Sequence, residues 1–189
     1  MKKMIFVAAI AIFSLVSANA QTSFGAKAGL NVANLIGDVA DNKSLIGFNA
    51  GVFAEIPLAD SFYIQPELIY STQGTEDYHY ISNNLPFVDK LNLDYINLPI
   101  MFKYDVANRF YLEAGPQVGF LVAAKRGDVD VKDNFESTDF GANFGLSYGF
   151  TDKIFAQARY NIGLSDIDKS ELNDKVSNAV MSFSLGYKF

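Results

Sequence analysis

The chain has 189 residues, of which 15 are basic and 21 acidic; half of the residues are hydrophobic and none is cysteine. The acidic balance is unfavourable for contact with nucleic acid, so we predict no nucleic-acid partner. The lack of cysteine excludes disulfides, thiolate metal sites and a lipid-attachment cysteine. A chain of this size forms one domain, which must fold without covalent cross-links.

The start of the chain predicts a secretory signal peptide over residues 1–20. Two lysines precede an apolar stretch at residues 5–16, and residues 18–20 read Ala-Asn-Ala. The apolar stretch is shorter than the about 20 residues that a membrane-spanning helix needs, which disfavours an uncleaved anchor. We expect cleavage after Ala20 and a mature domain over residues 21–189. Loss of the two lysines leaves 13 basic and 21 acidic residues, a net charge of −8.

Most of the remaining chain alternates apolar and polar residues with a period of two, which predicts β-strands with one apolar face. In DFGANFGLSYGF, residues 139–150, every second residue from Phe140 onward is apolar, and the others are polar or glycine. The pattern recurs along the chain. The eight predicted strands cover residues 23–32, 47–56, 63–71, 95–104, 111–122, 139–150, 154–162 and 179–189.

The segments between the predicted strands alternate in length, which is typical of an antiparallel meander. Four are long and polar, at residues 34–45, 73–91, 124–138 and 163–176. Three are short, at residues 57–61, 105–109 and 151–153. The sequence therefore predicts an all-β fold, an eight-stranded antiparallel up-and-down transmembrane β-barrel with four long loops at one end and short turns at the other.

The composition of the two strand faces indicates which face is inside. The polar face is rich in Gly, Ser, Asn and Gln, which suits the narrow interior that eight strands enclose. The other face carries almost no charge and ends in aromatic residues, which is typical of a lipid-facing band. The aromatic residues at its ends are Phe62, Phe110, Phe150, Phe189, Tyr70 and Tyr160. We expect contact with outer-membrane lipid and a location in the outer membrane of a Gram-negative-type bacterium.

Three prolines fall within predicted strands: Pro66, Pro99 and Pro116. Proline cannot donate to a strand ladder and usually occupies edges or bulges, whereas a closed barrel has no edge strand. We predict either that the prolines mark bulges or that the strand boundaries lie a few residues away.

Several segments resemble a known family. FGAKAGLNVANL (24–35), FYIQPELIYSTQG (62–74) and YINLPIMFKYDV (95–106), with the rest of the mature chain, resemble the PorT-like outer-membrane β-barrel family, often labelled "porin family". The resemblance implies the architecture, and secretion or transport for some members. The closing aromatic strand resembles the C-terminal signal that the outer-membrane assembly machinery recognises. Its residues are Phe183, Leu185, Tyr187 and Phe189.

Six charged residues lie on the polar face of the predicted strands: Lys27, Glu55, Glu67, Lys103, Glu113 and Arg159. Each is close to a turn, so we predict a cluster in the periplasmic half of the interior, where an unpaired charge is costly. We expect Glu67 to pair with Lys27, and Glu113 with Arg159. The equal numbers of the two signs favour a structural salt-bridge plug over a path for protons or small ions.

Support for catalysis or metal binding is slight. His79, the single histidine, could activate a nearby serine such as Ser71 or Ser82, but it falls in the middle of a predicted loop. The acidic segments 127–133 and 165–174 lack the glycine and glutamate positions of an EF-hand loop. We predict no enzymatic activity, no catalytic residue, no metal and no cofactor.

Two classes of function remain. The first is a non-enzymatic outer-membrane barrel with a salt-bridged interior and outward-facing loops for structural, adhesive or partner-binding roles. The second is a small channel, or an accessory of transport or secretion. Charges paired across the bore would favour the first class, and charges separated in water the second. The aromatic residues of segment 77–90 could anchor a partner, pack over the barrel mouth or contact lipopolysaccharide, and packing over the mouth is slightly favoured.

Overall fold

The computed structural model describes residues 22–37, 43–82, 85–169 and 175–189. Side chains of residues 77–88 are outside this description. The predicted signal peptide also lies outside the described residues. Among the residues that the structure describes, no helix is long and apolar enough to span a membrane.

Antiparallel strands account for almost all of the described chain. They are β1 (Ser23–Gly37), β2 (Leu45–Ala59), β3 (Phe62–Ser82), β4 (Leu85–Ala107), β5 (Phe110–Arg126), the short β6 (Val129–Asp130), β7 (Thr138–Gly149), β8 (Ile154–Gly163) and β9 (Val176–Lys188). One 3-10 turn, η1 (Lys132–Asn134), follows β6. Apart from β6, each strand pairs with its neighbours along the chain, and β1 pairs with β9. The predicted eight-stranded up-and-down barrel is confirmed.

The seam between the first and last strands closes the sheet. The β1–β9 pairing runs from Gly25↔Lys188 to Gly37↔Val176 without a shift of register. It is as continuous as the β1–β2 pairing on the other side of β1. The described barrel therefore has no unpaired edge along the seam, as a structure within lipid requires.

The outward face of the barrel is apolar on every strand. Its exposed large side chains include one from each of the eight barrel strands: Leu30, Phe48, Phe62, Phe102, Leu112, Phe144, Tyr160 and Phe183. Aromatic residues concentrate at the turn end, where Phe62 packs on Tyr104 and Tyr148 on Phe150. Of the predicted aromatic residues, Phe110 and Tyr70 are half-buried and the other four are exposed.

The predicted long loop at residues 73–91 is largely strand. β3 and β4 pair from Phe62↔Tyr104 to Ser82↔Leu85, with one register shift beyond Thr75. Above Thr75, β3 and β4 pair only with each other among the described pairings. The sequence does not reveal this two-stranded extension, because a ribbon outside the membrane does not need one lipid-facing side and its residues need not alternate strictly.

The prolines within strands interrupt the ladder without forming bulges. At Pro66, the β2–β3 pairing passes from Phe53↔Glu67 to Ile56↔Ile64, so two pairs are missing and the register is unchanged. The same holds at the other two prolines, Pro99 and Pro116. Both predicted explanations are therefore wrong. Loss of one backbone donor is tolerated here because the ladder resumes in register on both sides.

Candidate functional site in the barrel interior

The half of the interior nearer to the short turns, here called the lower half, contains a continuous chain of charges. We call this chain the ion network. In order of contact it comprises Lys188, Glu55, Lys103, Glu113, Arg159, Glu67 and Lys27. The signs alternate along the chain, so each carboxylate lies between two cations. Seven of the eight barrel strands contribute one charge each. The six residues predicted from sequence are all buried in this network.

The contact between Glu67 and Arg159 spans the bore. Arg159 donates from Nη1 to Glu67 Oε2 at 2.8 Å and from Nη2 to Glu67 Oε1 at 2.9 Å. Their strands, β3 and β8, are four positions apart in a closed ring of eight, which places them on opposite walls. A bidentate pair of this kind fixes both the distance and the orientation of the two groups.

The two pairs expected from the sequence are also present. Lys27 Nζ lies 2.9 Å from Glu67 Oε2, and Arg159 Nη2 lies 3.0 Å from Glu113 Oε2. Each predicted pair shares a residue with the bidentate pair across the bore. The predicted pairs are therefore parts of one network rather than separate contacts.

Neutral polar side chains complete the coordination of the buried charges. Ser147 Oγ donates to Glu113 Oε1 at 2.6 Å, and Gln157 Nε2 donates to Glu113 Oε2 at 2.8 Å. Gln65 Nε2 donates to Glu67 Oε1 at 2.6 Å, and Lys103 Nζ donates to Gln65 Oε1 at 3.0 Å. Because buried charge is stable only when its lone pairs and protons are matched, these contacts make the network tolerable in a narrow bore.

Two aromatic rings lie beside the network near the turn end. Phe53 and Phe155 meet edge to face, with ring centroids 5.6 Å apart. Gly25 and Gly186 make room for them, since a Cβ on Gly186 would lie 2.1 Å from Phe155 Cζ and one on Gly25 would lie 2.3 Å from Phe53 Cζ. Bulky inward rings thus fill space that smaller polar side chains would leave open.

Above the ion network, the interior is lined by amides, here called the amide layer. It comprises Asn31, Asn49, Asn97, Asn143, Asn161, Gln73 and Gln117. The sequence places all of them on, or in line with, the polar strand faces. Lys188 has the same parity as Ser184 and Gly186, and this is the signal that could have added it to the predicted charged residues.

The outer mouth is closed by a hydrophobic cluster, here called the apolar cap. Its residues are Leu35, Leu91, Leu93, Tyr95, Leu121, Ala124, Val131, Phe135, Ile167 and Val176. Two loops join over the mouth, where Glu136 N donates to Ile167 O at 2.8 Å and Lys169 N donates to Asn134 O at 3.1 Å. The alternation of apolar and polar residues does not predict the cap. Its signal is the isolated apolar residues Val131, Phe135 and Ile167 within acidic loops.

The other sequence-predicted residues lie away from the interior. The four aromatic and apolar residues of the closing strand face outward from β9 and are exposed: Phe183, Leu185, Tyr187 and Phe189. His79 belongs to the β3–β4 extension, where its backbone pairs with Val88, and its side chain is outside the description. Within the described residues, no group of three or more acidic or histidine side chains is close enough to hold a metal ion.

Comparisons with known proteins agree with this architecture. The profile of a family described as "Outer membrane protein beta-barrel domain" matches residues 18–169. No curated protein matches the sequence. Neisserial surface protein A is 16% identical, with a TM-score of 0.57 over 89% of this chain and 97% of that chain. Ail, the attachment invasion locus protein of Yersinia pestis, is 14% identical, with a TM-score of 0.54 over 88% of this chain and 98% of that chain.

Identities this low show a common fold and leave the activity open. The family match covers most of the chain, and the closed barrel with its apolar outer band agrees with it. The chain belongs to the outer membrane protein beta-barrel domain family and is an integral outer-membrane β-barrel protein.

Proposed function

We propose that the protein is a non-enzymatic barrel whose interior is a structural plug and whose outward-facing loops serve structural, adhesive or partner-binding roles. The bidentate contact of Glu67 with Arg159 across the bore is the observation that carries this proposal. An ion crossing the barrel would have to separate these groups and pass through the apolar cap. Both steps expose charge to a low-dielectric interior, which is costly.

The loops carry the charge that a partner would meet. The four predicted loop segments contain 13 acidic and seven basic residues, a net charge of −6. One solved structure similar to this chain is Ail in complex with the heparin analogue sucrose octasulfate. An acidic loop surface repels such a polyanion, so the proposed partner surface is neutral or basic. Tight binding of sucrose octasulfate to the folded protein at physiological salt would contradict this part of the proposal.

The proposal includes export and assembly. The signal peptide is cleaved after Ala20, and the assembly machinery of the outer membrane recognises β9 through its outward residues. The resemblance to the PorT-like family belongs to the same proposal. Deletion of Phe189 is the test: insertion in cells should fall, while unassisted refolding in detergent should persist because Phe189 lies at the exposed end of β9. Equal loss in both settings would indicate a folding defect instead.

Single-channel conductance in planar bilayers tests the plug. The refolded mature protein should give no steady current steps, and a Glu67→Gln/Glu113→Gln variant should open rarely, because it keeps the cations but weakens their pairing. Asp152→Asn is the matched control. Asp152 pairs with Arg109 at an exposed turn, 2.7 Å away, so its neutralisation should leave the buried contacts of the ion network in place.

Steady wild-type steps with an ion selectivity that shifts in the double variant would overturn the plug. The barrel would then be a small channel, which is the second class that the sequence leaves open. The Asp152→Asn control should match the wild type in either case, and wild-type steps that the double variant leaves unchanged in frequency and selectivity would report a leak unrelated to the ion network.

A further inference from the structure

A small cavity lies in the middle of the barrel, between the ion network and the apolar cap. Its volume is about 40 Å³, and every barrel strand contributes at least one lining residue. Seven of the fifteen lining residues form the amide layer, and Arg159 and Lys27 line the side of the ion network. The cavity is therefore a polar space within a closed ring of strands.

The amide layer forms two hydrogen-bonded arcs. In the first arc, Ser184 Oγ donates to Asn49 Oδ1 at 2.9 Å, and Asn49 Nδ2 donates to Asn31 Oδ1 at 2.8 Å. Asn31 Nδ2 then donates to Ser71 Oγ at 2.9 Å, which also accepts from Gln73 Nε2 at 3.2 Å. This arc covers one wall of the cavity and ends at Gln73.

The second arc covers the opposite wall. Asn161 Nδ2 donates to Asn143 Oδ1 at 3.3 Å, and Asn143 Nδ2 donates to Gln117 Oε1 at 3.2 Å. Among the described hydrogen bonds, none joins the second arc to the first. The cavity lies where the two arcs would otherwise meet.

Three buried polar atoms that belong to residues lining the cavity have no partner among the described residues. They are Gln73 Oε1, Asn161 Oδ1 and Arg159 Nε. Each belongs to a residue that is more than nine-tenths buried. A buried polar atom without a partner is costly, so three of them in residues around one cavity call for a common ligand.

We propose that this cavity is an internal hydration site holding about three water molecules, since each needs about 10–15 Å³ of such volume. Water donates to the two amide oxygens and accepts from Arg159 Nε–H, so it satisfies all three atoms. A metal cation would suit the amide oxygens but is repelled by Arg159 and Lys27. An anion would suit Arg159 but faces the same amide oxygens.

The assignment does not depend on the orientation of the amides. If Gln73 or Asn161 is rotated by half a turn, an N–H replaces the oxygen at the cavity wall, and water accepts instead of donating. The waters bridge the two arcs and complete a polar ring around the bore. This role concerns only the interior, whatever the loops bind and whether or not the lumen conducts.

A high-resolution crystal structure of the mature protein tests the site. We expect about three ordered waters in the cavity, with contacts to Gln73, Asn161 and Arg159. A Gln73→Met/Asn161→Leu variant of similar volume should retain at most one of them. Thr75→Val is the matched control, because Thr75 is fully buried on the same strand but does not line the cavity; it should keep all the waters.

Soaks in rubidium and bromide salts distinguish water from ions. An anomalous peak from either ion in the wild-type cavity would overturn the proposal. Direct hydrogen bonds between the two arcs, with no water between them, would overturn it too. If the double variant does not fold, the wild-type crystals alone decide the question, because the number and identity of the peaks in the cavity are measured there.

Discussion

Burial determines how much the ion pairs of Arg159 and Arg109 contribute to the stability of the barrel. Arg159 and Arg109 both donate to a carboxylate at short distance, 2.8 Å to Glu67 and 2.7 Å to Asp152. The first pair is enclosed by the barrel, whereas the second is exposed at a turn. Removing one partner of a buried pair strands the other charge in a medium of low dielectric, and removing one partner of an exposed pair returns the other to water.

An Arg159→Met variant should be strongly destabilised. It leaves Glu67 and Glu113 without their shared cation, and the expected loss in the free energy of unfolding is about 3–5 kcal/mol. The matched control is Arg109→Met, for which a loss of about 0–1 kcal/mol is expected. Denaturant unfolding of the refolded barrel in lipid vesicles measures both. Similar losses for the two variants would show that burial is not what sets the value of the Arg159 contacts.

Strand parity predicts six of the seven charged residues of the ion network, all but Lys188, but not how they all pair. The alternation of Lys27 with apolar neighbours places it on the polar face, and the same reasoning holds for Glu67 and Arg159. The contact of Glu67 with Arg159 depends on which strands face each other after closure, and that depends on strand number and stagger. No local pattern in the sequence encodes this geometry.

The β3–β4 extension is separate from the barrel in its described strand pairing. Above Thr75 and Leu91, the two strands pair with each other and with no other barrel strand among the described pairings. On the turn side of these residues, β3 pairs with β2 and β4 pairs with β5. The stability of the barrel should therefore be independent of the extension.

Replacing residues 78–89 with Asn-Gly tests this independence. Asn-Gly favours the type I′ turn that joins two paired strands directly. The free energy of unfolding should change by less than about 0.5 kcal/mol, because none of the described pairings with β2 or β5 is lost. Denaturant unfolding in vesicles measures it. A larger loss would mean that the extension packs on the barrel.

A deletion in another loop provides the contrast. Removing residues 128–137 takes Val131 and Phe135 out of the apolar cap, where both are buried. Burial of two such side chains contributes about 3–6 kcal/mol, at about 1.5–3 kcal/mol each. Equal stability of the two shortened chains would contradict the assignment of the cap to this loop.

At the scale of elements, the sequence predicted the number and order of the barrel strands, but not their ends. A strict period of two is needed only where one face meets lipid and the other the bore. The β3–β4 extension lies beyond that zone, so the sequence pattern predicts a loop there. Pro66 lies inside that zone, but the period of two does not reveal that a ladder can lose two pairs and keep its register.

The apolar outer band determines the position of the whole molecule relative to the membrane. Phe144 and Phe150 lie on the same strand segment, face outward and are equally exposed, at 56%. They differ in depth: Phe150 is next to the turn after β7, and Phe144 lies about 20 Å further along the strand direction at about 3.3 Å per residue. Phe144 should therefore be near the middle of the membrane.

Arginine substitution at these two positions measures the position of the membrane. Phe144→Arg should destabilise the inserted barrel by about 2–4 kcal/mol, whereas Phe150→Arg should cost about 0–1 kcal/mol. Reversible unfolding from lipid vesicles gives both values. Each substitution is the control for the other, because the two positions carry the same residue and are equally exposed. A larger destabilisation by Phe150→Arg than by Phe144→Arg would mean that the membrane is centred nearer to the turns.

The ion network has a consequence for the last step of barrel formation. Lys27 on β1 donates to Gln157 on β8, and Lys188 on β9 contacts Glu55 on β2, so both contacts bridge the seam between β1 and β9. A sheet in which these two strands have not yet met leaves both lysines without these partners. Closing the ring and completing these two contacts are thus one event, and an incompletely closed barrel is the species that lipid tolerates least.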